Sequence, residues 1–230
     1  MLIDDVVRAF ANLLAYVALY AVFLFVPAGT VRWPAAWLLL AVLLAVRGIS
    51  VVLLYRSSRA LILERSRLPL QRKQASIDKV LLPAYMASVA ALVGFVSWDW
   101  WHARLLGTSP APARVAGLVL FACAWLVVHL ALRSNPFAVT VVRHQAERGH
   151  EVVTTGPYRV VRHPLYVGLI LGDVGLALWL GSAAGVVASI VPAAVLMLRI
   201  VAEERVLAGS LPGYARYAAE VRWRLVPRLW

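Results

Sequence analysis

The chain has 230 residues, of which 62% are hydrophobic and 15% are charged, and its mean hydropathy is +0.79. These values are typical of integral membrane proteins and exclude an ordinary soluble domain. The formal net charge is +12. We attribute it to basic residues on the cytoplasmic side of a membrane and not to nucleic-acid binding.

Six apolar stretches follow one another along the chain, at 6–26, 35–55, 80–98, 115–132, 165–180 and 183–201. Most of them approach the roughly 20 helical residues that cross the hydrocarbon core of a bilayer. The first stretch follows acidic residues instead of a basic cluster, so we expect a retained span and not a cleaved signal peptide. The sequence predicts an all-α fold, a polytopic membrane helix bundle of about six transmembrane helices with a cytoplasmic C-terminal helical tail.

The basic residues are unevenly distributed between the connections. Residues 56–79 hold seven Lys and Arg, and 133–162 and 203–230 hold five each, whereas the other connections hold only Arg32, Arg104 and Arg114. The positive-inside rule therefore predicts an integral membrane protein with both termini at the cytoplasmic face. Six tryptophans fall near the predicted outer ends of the spans, as in an aromatic belt: Trp33, Trp37, Trp98, Trp100, Trp101 and Trp179.

The chain divides into two parts of different character. Residues 1–132 form a predicted lead-in of four transmembrane helices, and residues 133–230 hold most of the polar chemistry. The second part begins with a predicted interfacial helix from Pro136 to about Arg148, ended by Gly149. The last two spans form a tight hairpin in which Pro192 is expected to introduce a kink. A further amphipathic helix is predicted at 214–225.

The sequence GPYRVVRHPLYVG, at 156–168, places polar residues directly before an apolar span. Pro164 suits the first turn of that span, with His163 at its cap, and a helix N-terminus favours an anionic group. Arg159, Arg162, Tyr158 and Tyr166 add charge, rings and hydroxyls. Two interpretations remain open from these residues alone, a ligand site and a basic, aromatic membrane anchor.

Glu203 and Glu204 lie at the end of the last span, where acidic residues oppose the helix dipole. Arg199 precedes Glu203 by four residues, so an ion pair between them is expected to compensate one acid. The other carboxylate is then expected to bind Arg162, His163 or a ligand. Both cationic and anionic groups would then meet at one membrane face, which fits a zwitterionic ligand.

Two ionisable residues, Arg47 and Asp173, fall inside apolar stretches. Such residues are costly in a membrane and are candidates for function, although the sequence does not assign a role to either. His144 and His150 bracket HQAERGH, which is a weak metal signature without a cysteine, and we predict no metal site.

The run HEVVTTGPYRVVRHPLYVG, followed by EERVL and then GYARYAAEVRWRLVP, resembles the isoprenylcysteine carboxyl methyltransferase family. The wider group of that family includes membrane phospholipid N-methyltransferases. The resemblance covers about residues 134–230. It implies an integral membrane methyltransferase that uses S-adenosylmethionine and acts on a lipophilic acceptor, with the carboxylate of a prenylated cysteine-like molecule as one acceptor.

The resemblance also implies that the active site lies at the cytoplasmic face, and it implies roles for particular residues. Arg162 and Glu204 are predicted to be catalytic, with Arg162 steadying a carboxylate of cofactor or substrate. Either Glu203 or Glu204 would receive the positively charged amino-acid end of the cofactor. The predicted cofactor-binding residues are His150, Val152, Val153, Tyr158, His163, Pro164, Tyr166 and Glu203.

Several alternatives remain. The acceptor could instead be a phospholipid amine or a small thiol, which would make the protein an N- or S-methyltransferase. A non-enzymatic transporter or scaffold would also hold intramembrane charges, but no inverted repeat or pair of broken helices supports it. The predicted partners are a lipophilic or lipidated substrate and membrane lipids, with no nucleic acid and no protein partner.

Overall fold

The computed structural model describes residues 2–66, 71 and 74–230, with side chains described from Val7 onward. The described part is an all-α bundle, which confirms the predicted fold class. Its helices are α1 (Leu2–Ala28), α2 (Pro34–Ser57), α3 (Arg59–Arg65), α4 (Asp78–Trp98), α5 (Ala111–Ser134), α6 (Pro164–Leu180), α7 (Ala183–Ala188), α8 (Ile190–Ser210) and α9 (Tyr214–Glu220). A π-helical turn at Asp99–Ala103 extends α4, and short 3-10 turns lie at Ala146–Arg148 and Gly156–Arg159.

Five helical segments are long and apolar enough to cross a membrane. They are Val7–Ala28, Pro34–Ser57, Asp78–Ala103, Ala111–Ser134 and Ala183–Ser210. The fifth predicted span, at 165–180, corresponds to α6, which has only 17 residues. These lengths are those of an integral membrane protein, in agreement with the sequence.

Helix α6 lies in the interior and packs closely on α5. A Cβ at Gly175 would lie 2.7 Å from the backbone nitrogen of Phe121, and one at Gly168 would lie 2.8 Å from the carbonyl oxygen of Ala124. Glycine is therefore needed at both positions, because any side chain would collide with the α5 backbone. The close approach fixes α6 against the centre of the bundle.

The predicted hairpin and its kink are both present. Gly181 has φ 88° and ends α6, and Ser182 caps α7 by accepting a hydrogen bond from the backbone nitrogen of Gly185. The last span is interrupted at Ser189, between α7 and α8. Pro192 follows by three residues and has no N–H to continue the hydrogen-bond ladder, which explains the break.

The connectivity gives the bundle two different ends. At the basic end, which comprises the described residues between 57 and 78 together with 134–163 and 210–230, helices α1, α4 and α6 begin and α2, α5 and α8 end. At the opposite, tryptophan end, residues 29–33, 99–110 and 181–182 connect the helices. The structure therefore separates the basic connections from the tryptophan-rich ones, as the sequence predicts.

Two local predictions at the basic end are wrong. Residues 136–145 form an irregular chain and not an interfacial helix, and only the turn at Ala146–Arg148 is helical before Gly149, whose φ is 63°. Helix α9 ends at Glu220 instead of continuing to residue 225. In both segments side-chain contacts from elsewhere in the fold satisfy the backbone.

Candidate active site

A cavity lies at the basic end, between the chain 135–166, the end of α8 and the start of α9. Its enclosed volume is about 90 Å³, and it opens to solvent at its mouth. Its walls combine apolar, aromatic and charged side chains. They are Asn135, Phe137, Ala138, Val139, Val141, Val142, Arg143, His150, Glu151, Val152, Val153, Tyr158, Arg162, His163, Leu165, Tyr166, Glu203, Leu207, Leu211, Tyr214 and Tyr217.

The irregular chain along one wall is held by side chains bonded to its backbone. Gln145 is 1% exposed and donates to the carbonyl oxygen of Phe137 over 2.7 Å. Arg148 donates to the carbonyl oxygen of Pro136, and Arg65 to that of Ala138. These bonds replace the hydrogen bonds that a helix would supply, so the wall is ordered without regular structure.

Asp78 connects that wall to the helices. Its side chain is fully buried, and it accepts hydrogen bonds from Nε of Arg199 at 2.7 Å and from the backbone nitrogen of Val142 at 2.8 Å. Arg199 also donates to the carbonyl oxygen of Thr140. The expected Arg199–Glu203 ion pair is therefore wrong, because Asp78 from the start of α4 binds the guanidinium instead.

Glu204 is the centre of a network of positive groups. Its Oε1 accepts from Nε of Arg162 at 2.7 Å and lies 3.1 Å from Nε2 of His163. Its Oε2 accepts from Nε of Arg224 at 2.9 Å. This carboxylate joins α8, the start of α6 and the C-terminal tail.

Arg162 extends the same network to the backbone of the tail. Its Nη1 donates to the carbonyl oxygens of Val221 at 2.8 Å and Arg222 at 2.9 Å. The backbone nitrogens of Arg162 and His163 donate to residues 223 and 224. The tail is thus bound across the start of α6 and closes one side of the cavity.

Glu203 differs from its neighbour. It lines the cavity and accepts a 2.6 Å hydrogen bond from the hydroxyl of Tyr166. No Lys, Arg or His nitrogen of the described residues lies within ion-pair distance of its carboxylate. The ring of Tyr166 stacks on that of His163, with centroids 5.5 Å apart and planes 3° apart. The cavity therefore contains a carboxylate with a neutral partner, beside a flat aromatic surface.

Buried aromatic hydroxyls form the wall nearest the tail. The hydroxyl of Tyr217 donates to the carbonyl oxygen of Tyr158 over 2.9 Å. Burial raises the pKa of Tyr217 to about 12 and raises that of Tyr158 further. Both phenols are therefore neutral near pH 7, and neither is prepared to act as a base.

His150 lies on the opposite wall, stacked on Phe137 with ring centroids 4.6 Å apart. Burial, with His144, Arg148 and Arg143 nearby, lowers the pKa of His150 to about 4. Its Nδ1 accepts a long hydrogen bond of 3.4 Å from the backbone nitrogen of Gln145. The imidazole is consequently neutral and can serve as a flat hydrogen-bonding surface.

The structure brings most of the predicted site residues together. His150, Val152, Val153, Tyr158, Arg162, His163, Tyr166 and Glu203 line the cavity, and Pro164 and Glu204 do not. Pro164 is buried in the first turn of α6, which His163 precedes as the cap residue. The contacts of Glu204 are those of a residue that positions Arg162 and His163. Its assignment to catalysis stays a prediction.

Several lining residues were missed from the sequence. Asn135 and Phe137 stand in the segment interpreted as a helix, and Tyr214 and Tyr217 in the one interpreted as an amphipathic tail. A signal was available for the tyrosines, because both belong to the GYARY run within the resemblance. No local pattern pointed to Arg143, because its position in the cavity wall depends on an ion pair with Glu64, 79 positions earlier.

The two intramembrane charges lie outside the cavity. The guanidinium of Arg47 lies 3.9 Å from the ring centroid of Tyr16 and 4.7 Å from that of Trp125. Asp173 is 6% exposed, and its Oδ2 has no hydrogen-bond partner. Among the residues that the structure describes, no group of three or more His, Cys, Asp or Glu side chains is placed to hold a metal ion.

Part of the chain is similar to a known protein family. The family model described as phospholipid methyltransferase matches residues 112–211, which run from the start of α5 to the end of α8 and include all the lining residues except Tyr214 and Tyr217. Over these residues the resemblance to the wider methyltransferase group is confirmed. The matched region is therefore similar to a family of methyltransferases.

A curated relative is also similar. It is the cobalt-zinc-cadmium resistance protein CzcN of Cupriavidus metallidurans, 32% identical over 151 residues. The alignment covers 65% of this chain and 62% of that protein, so the chain spans less than two thirds of the relative's length. Its name describes that protein and gives no acceptor.

Proposed function

We propose that the protein binds S-adenosylmethionine in the cavity at the basic end and methylates a lipophilic acceptor. The observation that carries the proposal is Glu203, a cavity carboxylate whose bonded partner is the neutral Tyr166. An unneutralised carboxylate in a partly enclosed site favours a cationic ligand group, and the ammonium of the cofactor's amino-acid end is such a group. S-adenosylmethionine supplies a methyl group on a sulfonium.

The rest of the cavity suits the other parts of that cofactor. Arg162 donates from Nε to Glu204 and from Nη1 to the tail. Its Nη2 has no hydrogen-bond partner among the described residues, so it can donate to a ligand carboxylate. The Phe137–His150 and His163–Tyr166 pairs offer flat surfaces on which an adenine can stack. Acid, base and aromatic walls are thus present in one site.

Methyl transfer needs alignment and exclusion of water more than acid–base chemistry. The buried Tyr158, Tyr214 and Tyr217 form a dry wall, and the tail bound to Arg162 closes one side. In this proposal Arg162 binds directly, whereas Glu204 is a positioning residue. An acceptor carboxylate requires no base, so the carboxylate of a prenylated cysteine-like molecule fits a site in which the phenols are neutral.

A phospholipid amine is the second candidate, because the matching family model is described as phospholipid methyltransferase. An amine must lose a proton before it attacks, so this acceptor would have to reach the methyl group as the neutral amine.

We also propose that the basic end faces the cytoplasm, as the positive-inside rule predicts. Single cysteines at Ser210 and Thr108, introduced in a Cys123→Ala background, would report the orientation. A membrane-impermeant maleimide added to intact cells should label only the cysteine at 108, and labelling of 210 alone would reverse the orientation.

The experiment that tests the activity uses purified protein in liposomes with methyl-labelled cofactor. One set receives an N-acetylated farnesylcysteine and another contains phosphatidylethanolamine. We expect label in a base-labile ester in the first set, and that label should be lost in Glu203→Gln and retained in Glu220→Gln, which changes an exposed tail carboxylate. Label in the lipid head group would establish the second candidate, and no transfer in either set would contradict both.

A further inference from the structure

A second concave site lies at the tryptophan end, on the opposite side of the bundle from the cavity. This groove is formed by the starts of α2 and α5, the end of α6 and the π-helical turn. Its lining residues are Arg32, Trp33, Pro34, Ala35, Leu38, Trp100, Trp101, Arg114 and Trp179. Neither the family resemblance nor the proposed methyl transfer uses it.

Arg114 is fixed in the groove by its neighbours. Its Nε donates to the carbonyl oxygen of Trp179 over 3.1 Å, and its guanidinium lies 4.8 Å from the ring centroid of Trp100 and 5.8 Å from that of Trp179. The indole of Trp179 is itself held by a 2.8 Å hydrogen bond to the carbonyl oxygen of Ala35. The guanidinium is therefore preorganised, and within the described chain its terminal nitrogens have no hydrogen-bond acceptor.

The positive charge of the arginines at the tryptophan end is not neutralised by acidic residues of the same connections. Of the 11 acidic residues of the chain, Asp99 alone lies in the connections at the tryptophan end. Asp99 is fully buried and accepts hydrogen bonds from the hydroxyl of Ser182 at 2.5 Å and the backbone nitrogen of Leu105 at 2.8 Å. It is therefore bonded inside the bundle and does not pair with the groove arginines.

The groove also has the polarity of a membrane interface. Arg114 lies in the first turn of α5, and Leu38, one turn into α2, is 45% exposed. Trp37 and Trp101 expose 53% and 40% of their surfaces on the same side. A molecule whose anionic group lies beside the arginines would therefore place its remaining part against apolar surface deeper in the membrane. This arrangement suits an amphiphile better than a free ion.

We propose that this groove binds the phosphodiester head group of an anionic membrane lipid, in the leaflet opposite the cavity. Arg114 and Arg32 contact the phosphate, since guanidinium groups bind phosphate oxygens in a bidentate manner. The indole of Trp101 covers the glycerol region, and the acyl chains follow Leu38. Head-group charge and lipid chains are recognised together.

Native mass spectrometry of the full chain in detergent tests the proposal, with dioleoyl phosphatidylglycerol and dioleoyl phosphatidylcholine offered at equal concentration. The wild type should retain one phosphatidylglycerol about tenfold more tightly than phosphatidylcholine. Arg114→Gln should abolish that preference for one lipid. Arg32→Gln, which changes an exposed side chain and leaves the packing intact, should weaken it severalfold.

Arg104→Gln is the matched control. Arg104 lies at the same end and its guanidinium is 5.4 Å from the ring centroid of Trp100, but it does not line the groove. It should retain the preference of the wild type. An equal loss of the phosphatidylglycerol preference in all three variants would show that the groove is only part of a general basic, aromatic belt. That result would overturn the proposal. Displacement of the lipid by millimolar inorganic phosphate would overturn it too, by showing a site for a free anion.

Discussion

The hydroxyl of Tyr166 donates a 2.6 Å hydrogen bond to the carboxylate of Glu203. The next residue, Glu204, binds two arginines and lies beside His163. Adjacent carboxylates on one helix thus have opposite environments, because successive helical residues point about 100° apart. Glu204 binds the positive groups of the cavity wall, whereas the carboxylate of Glu203 lines the cavity, where we propose that it receives a cationic group of the cofactor.

Glu204→Gln should destabilise the protein. The change leaves Arg162, whose side chain is 7% exposed, without its carboxylate partner, and breaking a buried ion pair costs about 3 kcal/mol or more. We expect the thermal unfolding midpoint in detergent to fall by several degrees. Glu220→Gln is the control, because its pair with Arg216 is exposed and contributes little. Equal midpoints for the two variants would contradict the role given to Glu204.

The contact between α5 and α6 can be tested with two alanines on the same helix. Gly175→Ala places a Cβ 2.7 Å from the backbone nitrogen of Phe121, which cannot move aside without shifting α5. Gly172→Ala meets its nearest neighbour at 3.8 Å, an ordinary contact. We expect Gly175→Ala to lower the free energy of unfolding by about 1–3 kcal/mol and Gly172→Ala to leave it nearly unchanged. The reverse order in thermal unfolding would show that the helices pack differently.

The stability of the cavity wall should depend on pH through His150. Its pKa is about 4 in the folded protein and about 6.5 in an unfolded chain. Between these values the unfolded state binds more protons, so stability rises with pH. The stabilising contribution is fully present above about pH 6.5 and is lost as the pH falls towards 4.

Thermal unfolding of the full chain between pH 4 and 7.5 measures this dependence. The midpoint should fall more steeply on acidification in the wild type than in His150→Gln. His102→Gln is the control, since His102 is exposed at the tryptophan end, and it should retain the slope of the wild type. Identical slopes for all three proteins would mean that His150 is not held neutral.

Much of the fold could be predicted because it depends on local pattern and helix length. The apolar stretches, the Gly181-Ser182 connection and the break before Pro192 each follow from properties of nearby residues. His163 and Pro164 form the predicted start of α6 for the same reason. The separation of basic and tryptophan-rich connections follows from counting charges between spans.

The wrong predictions involve partners that are distant in sequence. Arg199 was expected to bind Glu203, one helical turn away, but it binds Asp78, 121 residues earlier. The chain after Pro136 was expected to be helical, but its carbonyl oxygens are bonded by side chains such as Arg65, 73 residues away from Ala138. No local pattern contains such contacts, so the irregular cavity wall and residues such as Phe137 could not be placed from the sequence.

Calorimetric titration of the protein in detergent with S-adenosylhomocysteine is the most direct test of the proposed cofactor site. We predict saturable binding at one site per chain in the wild type. Glu203→Gln should bind about 10- to 100-fold more weakly, because a hydrogen bond to a charged group contributes about 1.5–3 kcal/mol, and Glu220→Gln should bind like the wild type. Absence of binding in the wild type, or equal affinity in Glu203→Gln, would contradict the claim that Glu203 receives the cofactor.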